Sequence, residues 1–191
     1  MWKTLLISNF KDDNKIHNRE GDDMDSFNKE EFKEVLHYII HKCGSLPNVG
    51  KTVLYKILYF SDFDYYELYE EKMTGESYRE LPYGPAPSHF DKAVKELEEE
   101  DKIRMLSAMF GEYDQQKFLS VKEPDITLLS GKEMRVIERN IEKLSNMNAT
   151  QISKYSHMDM PYKATEDNGI IDYELVFYRD DLFSVREYED D

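Results

Sequence analysis

The chain has little cysteine, little positive charge and no long apolar run. Cys43 is its only cysteine, so no disulfide bond can form within the chain. No apolar segment approaches the ~20 residues of a membrane-spanning helix, and no signal-peptide pattern is recognisable. We therefore expect a cytoplasmic protein. Its 191 residues, 40% of them hydrophobic, suit one domain with a real core.

Basic residues are outnumbered, with 25 Lys and Arg against 40 Asp and Glu, for a formal net charge of -15. This charge repels nucleic acid at long range, and no run of Lys or Arg offsets it, so we expect no direct nucleic-acid binding. The acids concentrate in residues 96–101 and 180–191. Such runs are typical of solvated helix ends and tails, and the alternative is a contact with a basic partner.

The segment Lys51–Tyr69 predicts a helix of about five turns, since it contains no Gly or Pro. Asn48 is its predicted N-cap. Apolar side chains cover most of its circumference, which predicts a central buried helix. Lys56, Asp62 and Asp64 lie within that surface and would need hydrogen-bond partners from other segments. The alternative is that these charges reach solvent at the edge of the helix.

Further helices are predicted before and after this segment. Asn28 and Glu31 form a capping-box pattern that begins a helix ending at Gly44. Similar pairs predict helices starting after Ser88 (with Asp91), after Ser130 (with Glu133) and after Asn148, the last one ending at Pro161. Residues 170–178 fit either a strand or a helix, and helix is preferred.

One β-hairpin is predicted from residues 103–110 and 117–121, joined by a polar turn over residues 111–116. The predicted fold is therefore mainly α, a compact helical domain around a central buried helix with one β-hairpin. Residues 1–23 are predicted to be an N-terminal extension or arm, residues 24–179 the domain and residues 180–191 an acidic C-terminal tail.

No convincing active site or metal site emerges from the sequence. Gly50, Lys51 and Thr52 end a stretch that resembles a phosphate-binding loop, but the glycine spacing is wrong and a helix precedes it. His37 and His41 have a spacing that can bind a metal, yet Cys43 faces elsewhere on the helix, so a structural role is favoured. We expect no catalytic residue, no metal and no cofactor.

Three segments resemble the SocA-like antitoxin domain, also called the Panacea domain: KILYFSDF at 56–63, MTGESYRELPYGPAPSHF at 73–90 and YSHMDMPYK at 155–163. The resemblance spans about residues 33–178. The chain departs from the family at Tyr162, where the family commonly has Trp, and Tyr can fill a similar amphipathic position.

The resemblance implies a mainly α-helical domain of bacterial and prophage toxin–antitoxin operons, which neutralises a separate toxin by binding it. Related proteins hand a toxin to a protease. The implied partner is a cognate protein toxin, encoded by an adjacent gene. The residues carried over by position serve either the fold or partner binding, and we favour the fold: Lys56, Tyr59, Phe60, Asp62, Gly75, Pro82, Tyr83, Gly84, Pro85 and His157.

Two alternative functions remain at this point. An enzyme acting through Lys56, Asp62 and His157 would need these side chains to converge in an open cleft. A transcriptional regulator would use the hairpin as a DNA-binding wing, although the hairpin tip, GEYDQQ, carries no basic residue.

Overall fold

The computed structural model describes residues 27–186. Its secondary structure confirms the mainly α fold class. The predicted extension, residues 1–23, lies outside the described residues, as do residues 187–191. The helices are α1 Lys29–Cys43, α2 Lys51–Tyr69, α3 Phe90–Glu99, α4 Gly131–Leu144, α5 Ala149–Ser156 and α6 Met160–Ala164, with short 3₁₀ helices at Ile126–Leu128 and Tyr173–Tyr178.

Helix α2 begins and ends at the residues predicted for it. Its N-cap is Gly50 rather than Asn48, so that prediction was wrong. The Asn48 side chain instead donates hydrogen bonds to the carbonyls of Ser145 and Met147, at 2.7 and 2.8 Å. It therefore satisfies carbonyls beyond the end of α4. At the other end of α2, Glu70 adopts a left-handed conformation with φ 56°, which terminates the helix.

The core forms where α1 and α4 pack against α2. Most of α2 is buried, and its charged residues Lys56, Asp62, Asp64 and Glu67 are buried with the apolar ones. Burial of charge on this scale requires partners in other segments. The apolar side chains that meet at the centre include Phe32, Leu36, Ile39, Ile57, Tyr59, Phe63, Val136 and Ile137.

Two small antiparallel sheets complete the fold. Strands β1 (Tyr78–Arg79) and β2 (Ala86–Pro87) pair with each other, and β3 (Ile103–Phe110) pairs with β4 (Tyr113–Ser120). The hairpin turn is only residues 111–112, so the turn predicted over residues 111–116 was too long. The polar residues 114–116 belong to β4, and Asp114 and Gln116 face solvent, where a strand tolerates polar side chains.

The predicted helix starts at Asn28, Ser130 and Asn148 are confirmed by side-chain caps, the last two as complete capping boxes. The pair Ser88 and Asp91 does not cap α3. Asp91 instead forms an ion pair with Lys51 at 2.6 Å, and the N-cap of α3 is His89.

Two further boundaries differ from the prediction. Pro161 does not end α5 but lies in the first turn of α6, where its missing N–H costs no helical hydrogen bond. Residues 170–178 are only partly helical: Tyr173–Tyr178 forms a 3₁₀ helix, and Ile170 makes a β-bridge to Arg79.

Residues 180–186, the first part of the predicted acidic tail, pack on α2. Phe183 is buried and its ring stacks on Phe60 with ring centroids 6.1 Å apart. Ser184 donates a hydrogen bond to Glu67 at 2.6 Å. The packing of the domain therefore extends beyond residue 179. In residues 27–186, no helix is long and apolar enough to cross a membrane.

Core packing on α2 predicts a large cost for Ile57→Ala, because Ile57 is fully buried between helices. We expect the free energy of unfolding to fall by about 2–5 kcal/mol. Ile126→Ala is the matched control, since Ile126 is 50% exposed, and it should change stability by no more than about 0.5 kcal/mol. Urea unfolding of both variants measures the difference, and equal losses would contradict this account of the core.

Candidate functional site

Residues 82–85, here called the PYGP loop, cross the N-terminal half of α2 and the C-terminal end of α5. The Lys56 side chain is 1% exposed, and its Nζ donates a hydrogen bond to the Pro85 carbonyl at 3.0 Å. Burial lowers the pKa of Lys56 to about 7. Burying an ammonium group with only a neutral carbonyl oxygen as its partner costs desolvation free energy.

Gly84 is required by the closeness of the loop to the helices. Its φ is +92°, a conformation that L side chains rarely adopt. A Cβ atom at this position would also overlap Ser156 Oγ and the end of the Lys56 side chain. The family residue Gly84 therefore lets the backbone approach α2 and α5.

Hydrogen bonds fix the loop and the residue that precedes it. Ser153 Oγ on α5 donates to the Tyr83 carbonyl at 3.0 Å, and Tyr162 Oη donates to the Leu81 carbonyl at 2.9 Å. The Tyr83 ring, in contrast, is 77% exposed. The loop thus presents one large aromatic side chain to solvent from a fixed backbone.

His157 follows α5 directly and completes this cluster. Its ring stacks on Tyr162 with centroids 4.7 Å apart and planes at 10°. Burial and the charge of Lys56 lower the pKa of His157. Tyr162, the position where the chain departs from the family pattern, both stacks on His157 and anchors the loop.

Asp62 belongs to a different part of α2. Its carboxylate accepts hydrogen bonds from Tyr78 Oη at 2.6 Å and from the backbone N–H and hydroxyl of Thr74. Burial raises its pKa to about 7 although these hydrogen bonds oppose the shift. The family residue Gly75, with φ +67°, follows Thr74 in the same turn.

Lys56 and His157 both lie beside the PYGP loop, whereas Asp62 lies elsewhere on α2. Six residues separate Lys56 from Asp62 on one helix, which is a rise of ~9 Å and about a third of a turn around the axis. Asp62 is fully buried, with its hydrogen bonds made inside the domain. The open cleft that an enzyme using all three side chains would need is therefore not formed by these residues.

The two aromatic family residues on α2 lie in the core. Tyr59 is fully buried and its hydroxyl donates a hydrogen bond to Asp159 at 2.8 Å. Phe60 is also buried and packs on Tyr155 and Phe183. Of the ten family residues, the exposed ones are Pro82 and Tyr83.

A buried arginine that the sequence analysis did not single out holds three carboxylates. Arg179 has a fully buried side chain and donates to Asp64 and Glu67 on α2, each at 2.8 Å. It also donates to both oxygens of Asp159, at 2.9 and 2.8 Å. Burial raises the pKa of Asp64, and the guanidinium of Arg179 opposes that shift. In the sequence, the only indication that a cation was needed was the pair Asp64 and Glu67, two acids three residues apart on a helix predicted to be buried.

An open groove lies beside the PYGP loop, and we call it the PYGP groove. It has a volume of about 590 Å³. A second groove shares four of its lining residues and continues to Phe110 at the tip of the β3–β4 hairpin. The PYGP groove is lined by Thr52, Pro82, Tyr83, Asp114, Ala149, Thr150, Ser153, Lys154 and His157.

A family model described as antitoxin SocA-like, Panacea domain, matches residues 54–163. The chain belongs to this family. The match covers more than half of the chain and includes all ten family residues, as the sequence resemblance predicted. None of the curated proteins and none of the solved structures compared with the chain matches it.

The Panacea match ends before one essential part of the site. Asp64, Glu67 and Asp159 lie inside the matched residues, whereas Arg179 lies outside them. Helix α1 and residues 180–186 also lie outside the match and pack on the domain. The Panacea fold in this chain is therefore completed by segments on both sides of the matched region. In residues 27–186, no group of three or more His, Cys, Asp or Glu side chains could hold a metal ion.

We predict that Arg179→Met destabilises the domain by about 3–5 kcal/mol, because it leaves three buried carboxylates without their cation. Arg139→Met is the control, since Arg139 is partly exposed and lies 3.4 Å from Asp64. We expect this control to cost no more than about 1 kcal/mol. Chemical unfolding at pH 7 measures both, and a loss below 1 kcal/mol for Arg179→Met would contradict the role given to this network.

The lowered pKa of Lys56 predicts that the free energy of unfolding depends on pH. Its pKa is about 7 in the folded protein and lies near the ordinary 10.5 when unfolded, so the unfolded chain binds more protons between these values. The free energy of unfolding should therefore rise with pH above 7, by up to ~1 kcal/mol per pH unit from this group. Lys56→Met should flatten the rise between pH 7 and 9, whereas Lys95→Met, at an exposed position, should not. Urea titrations at each pH measure the free energy of unfolding. An equal rise of this free energy with pH in all three proteins would disprove the assignment.

Proposed function

We propose that this chain is an antitoxin that neutralises a cognate protein toxin by binding it directly, with no chemistry of its own. The observation that carries the proposal is membership of the SocA-like antitoxin family, whose match includes α2, the PYGP loop and His157. The function we infer is occlusion of the toxin in a stable complex.

The geometry of the family residues supports binding over catalysis. Lys56 and Asp62 are buried and hydrogen-bonded within the domain, so they stabilise the fold rather than meet a substrate. The part that reaches solvent is the PYGP loop, with its exposed Tyr83, and the groove beside it. An amphipathic aromatic side chain on a fixed backbone is typical of the residues that dominate protein interfaces.

The charge of the chain supports a basic partner. A net charge of -15 would accelerate encounter with a positively charged toxin and disfavour binding to nucleic acid. We propose that the toxin is encoded by an adjacent gene and meets this chain in the cytoplasm. The same complex could be the form in which the toxin is handed to a protease, a role that the family resemblance implies.

Co-expression with the product of the neighbouring gene tests the proposal. The neighbour alone should arrest growth, this chain should restore growth, and a tag on this chain should co-purify the neighbour. A neighbour that is harmless and does not bind would contradict the proposal. DNA binding by the purified chain at low salt would favour the alternative of a regulator that uses the hairpin as a wing.

We predict that Tyr83→Ala weakens the complex at least about tenfold, because an exposed anchor residue is removed without a change in the core. Tyr178→Ala is the matched control: Tyr178 is 70% exposed but lies outside the residues that line the PYGP groove. The affinity of the Tyr178→Ala variant for the toxin should stay within about twofold of the wild type. Calorimetric titration measures both, and an unchanged affinity for Tyr83→Ala would exclude the PYGP loop from the interface.

A further inference from the structure

The β3–β4 hairpin exposes an uncharged apolar strand. From Met105 to Phe110 the sequence of β3 is MLSAMF, without a charged residue. Leu106 and Met109 are 49% and 64% exposed, and Met105 and Phe110 are also exposed. Large apolar side chains next to one another on a solvent-exposed strand are a feature of interaction sites and of aggregation-prone edges.

The strand register shows which backbone groups of β3 point outward. The Val121 N–H donates to the Lys102 carbonyl at 2.9 Å, and Phe110 and Tyr113 flank the two-residue turn. Hydrogen-bonded and non-hydrogen-bonded pairs alternate in an antiparallel ladder. The backbone groups of Leu106 and Ala108 therefore face β4, and those of Met105, Ser107 and Met109 face away from it.

Two of these three outward-facing residues have open backbone groups. The Met105 N–H donates to the Glu98 side chain at 2.8 Å, so it is already satisfied. Within residues 27–186, the N–H groups of Ser107 and Met109 have no hydrogen-bond partner. Ser107 and Met109 thus offer two N–H and two C=O groups along one free edge, in the spacing that an added strand requires.

We propose that this free edge of β3 accepts an extended segment of the toxin as a third strand of the sheet. The inference rests on the proposed function for the identity of the partner. The backbone of the segment would pair with Ser107 and Met109, and its apolar side chains would cover Leu106 and Met109. Main-chain pairing of this kind is a general mode of peptide recognition.

Charge at the two ends of β3 defines the chemistry of the segment. Acids outnumber bases at both ends of β3: residues 98–101 precede it and are only partly balanced by Lys102 and Arg104, which pair with Glu100 and Asp101, while Glu112 and Asp114 follow its other end. A segment with an apolar centre and Lys or Arg at its ends would match this pattern.

A second copy of this chain fits the same edge poorly. Antiparallel pairing of two β3 strands around Ser107 would set Glu112 of one copy opposite Lys102 of the other, so the ends of the strand do not by themselves oppose self-pairing. Each copy carries a net charge of -15, however, and two such molecules repel each other as they approach. The net charge therefore favours a basic partner over self-association.

The edge is also continuous with the surface proposed for toxin binding. Phe110 and Asp114 line the groove that adjoins the PYGP groove, and Asp114 lines both. A toxin seated on Tyr83 could therefore extend a segment along β3.

Ser107→Pro tests the proposal, because proline removes the outward N–H of β3 and spares the ladder to β4. Ser107→Ala is the matched control: it removes the hydroxyl at the same position and keeps the outward N–H. With the full chain and the product of the neighbouring gene, we expect Ser107→Pro to weaken binding about tenfold, and Ser107→Ala to stay within about twofold. Circular dichroism of both variants checks that each is folded.

Amide hydrogen exchange of the wild-type chain provides a test without a substitution. In the free protein the amides of Ser107 and Met109 should exchange faster than those of Leu106 and Ala108, and in the complex all four should be protected. A complex with unprotected Ser107 and Met109 and full affinity for Ser107→Pro would overturn the edge proposal and leave the antitoxin function standing. No complex with the wild-type chain would overturn both. Self-association that protects these amides would identify a second copy as the occupant and overturn the choice of partner.

Discussion

The guanidinium group of Arg179 lies between three buried carboxylates, and the position of several segments depends on it. Asp64 and Glu67 belong to α2, Asp159 precedes α6, and Arg179 follows the 3₁₀ helix Tyr173–Tyr178. Carboxylates removed from water are tolerated only when a cation and hydrogen bonds compensate them. Because α2 is buried with its acids, the C-terminal part of the domain must return to α2, and it brings Phe183 into the core as it does so.

The burial of charged groups on α2 also distinguishes the residues that stabilise the fold from those that are exposed on the surface. Lys56, Tyr59 and Asp62 bind other segments to α2, and Gly84 allows the PYGP loop to lie against it. These family residues are therefore explained by the packing of the domain. These residues hold in place the surface that we propose for the toxin, which consists of the exposed Tyr83, the PYGP groove and the adjoining hairpin. A protein that acts by binding needs a rigid surface of this kind, since less conformational entropy is then lost on association.

Much of this fold follows from local sequence patterns. The bounds of α2 and the caps at Asn28, Ser130 and Asn148 were predicted because each depends on neighbouring residues. Burial of charge predicted that Lys56, Asp62 and Asp64 need partners, and each does have one. The alternative favoured by residue type alone, that these side chains reach solvent at the edge of the helix, was wrong, because all three are buried. Arg179 could not be identified, because 115 positions separate it from Asp64 and no local pattern links them. Asn48, Asp91 and Pro161 were misjudged since tertiary partners or a neighbouring helix replaced the expected local roles.

We propose that the polar family residues on α2 support the fold and perform no chemistry. This proposal is tested most directly by measuring toxin neutralisation with the double variant Lys56→Met, Asp62→Asn, in cells grown at a temperature at which the purified variant is folded. The account predicts that growth is restored as fully as by the wild-type chain, because the surface around Tyr83 is unchanged. Loss of neutralisation by a variant that remains folded and still binds the toxin would contradict it, since these side chains would then act on the toxin themselves.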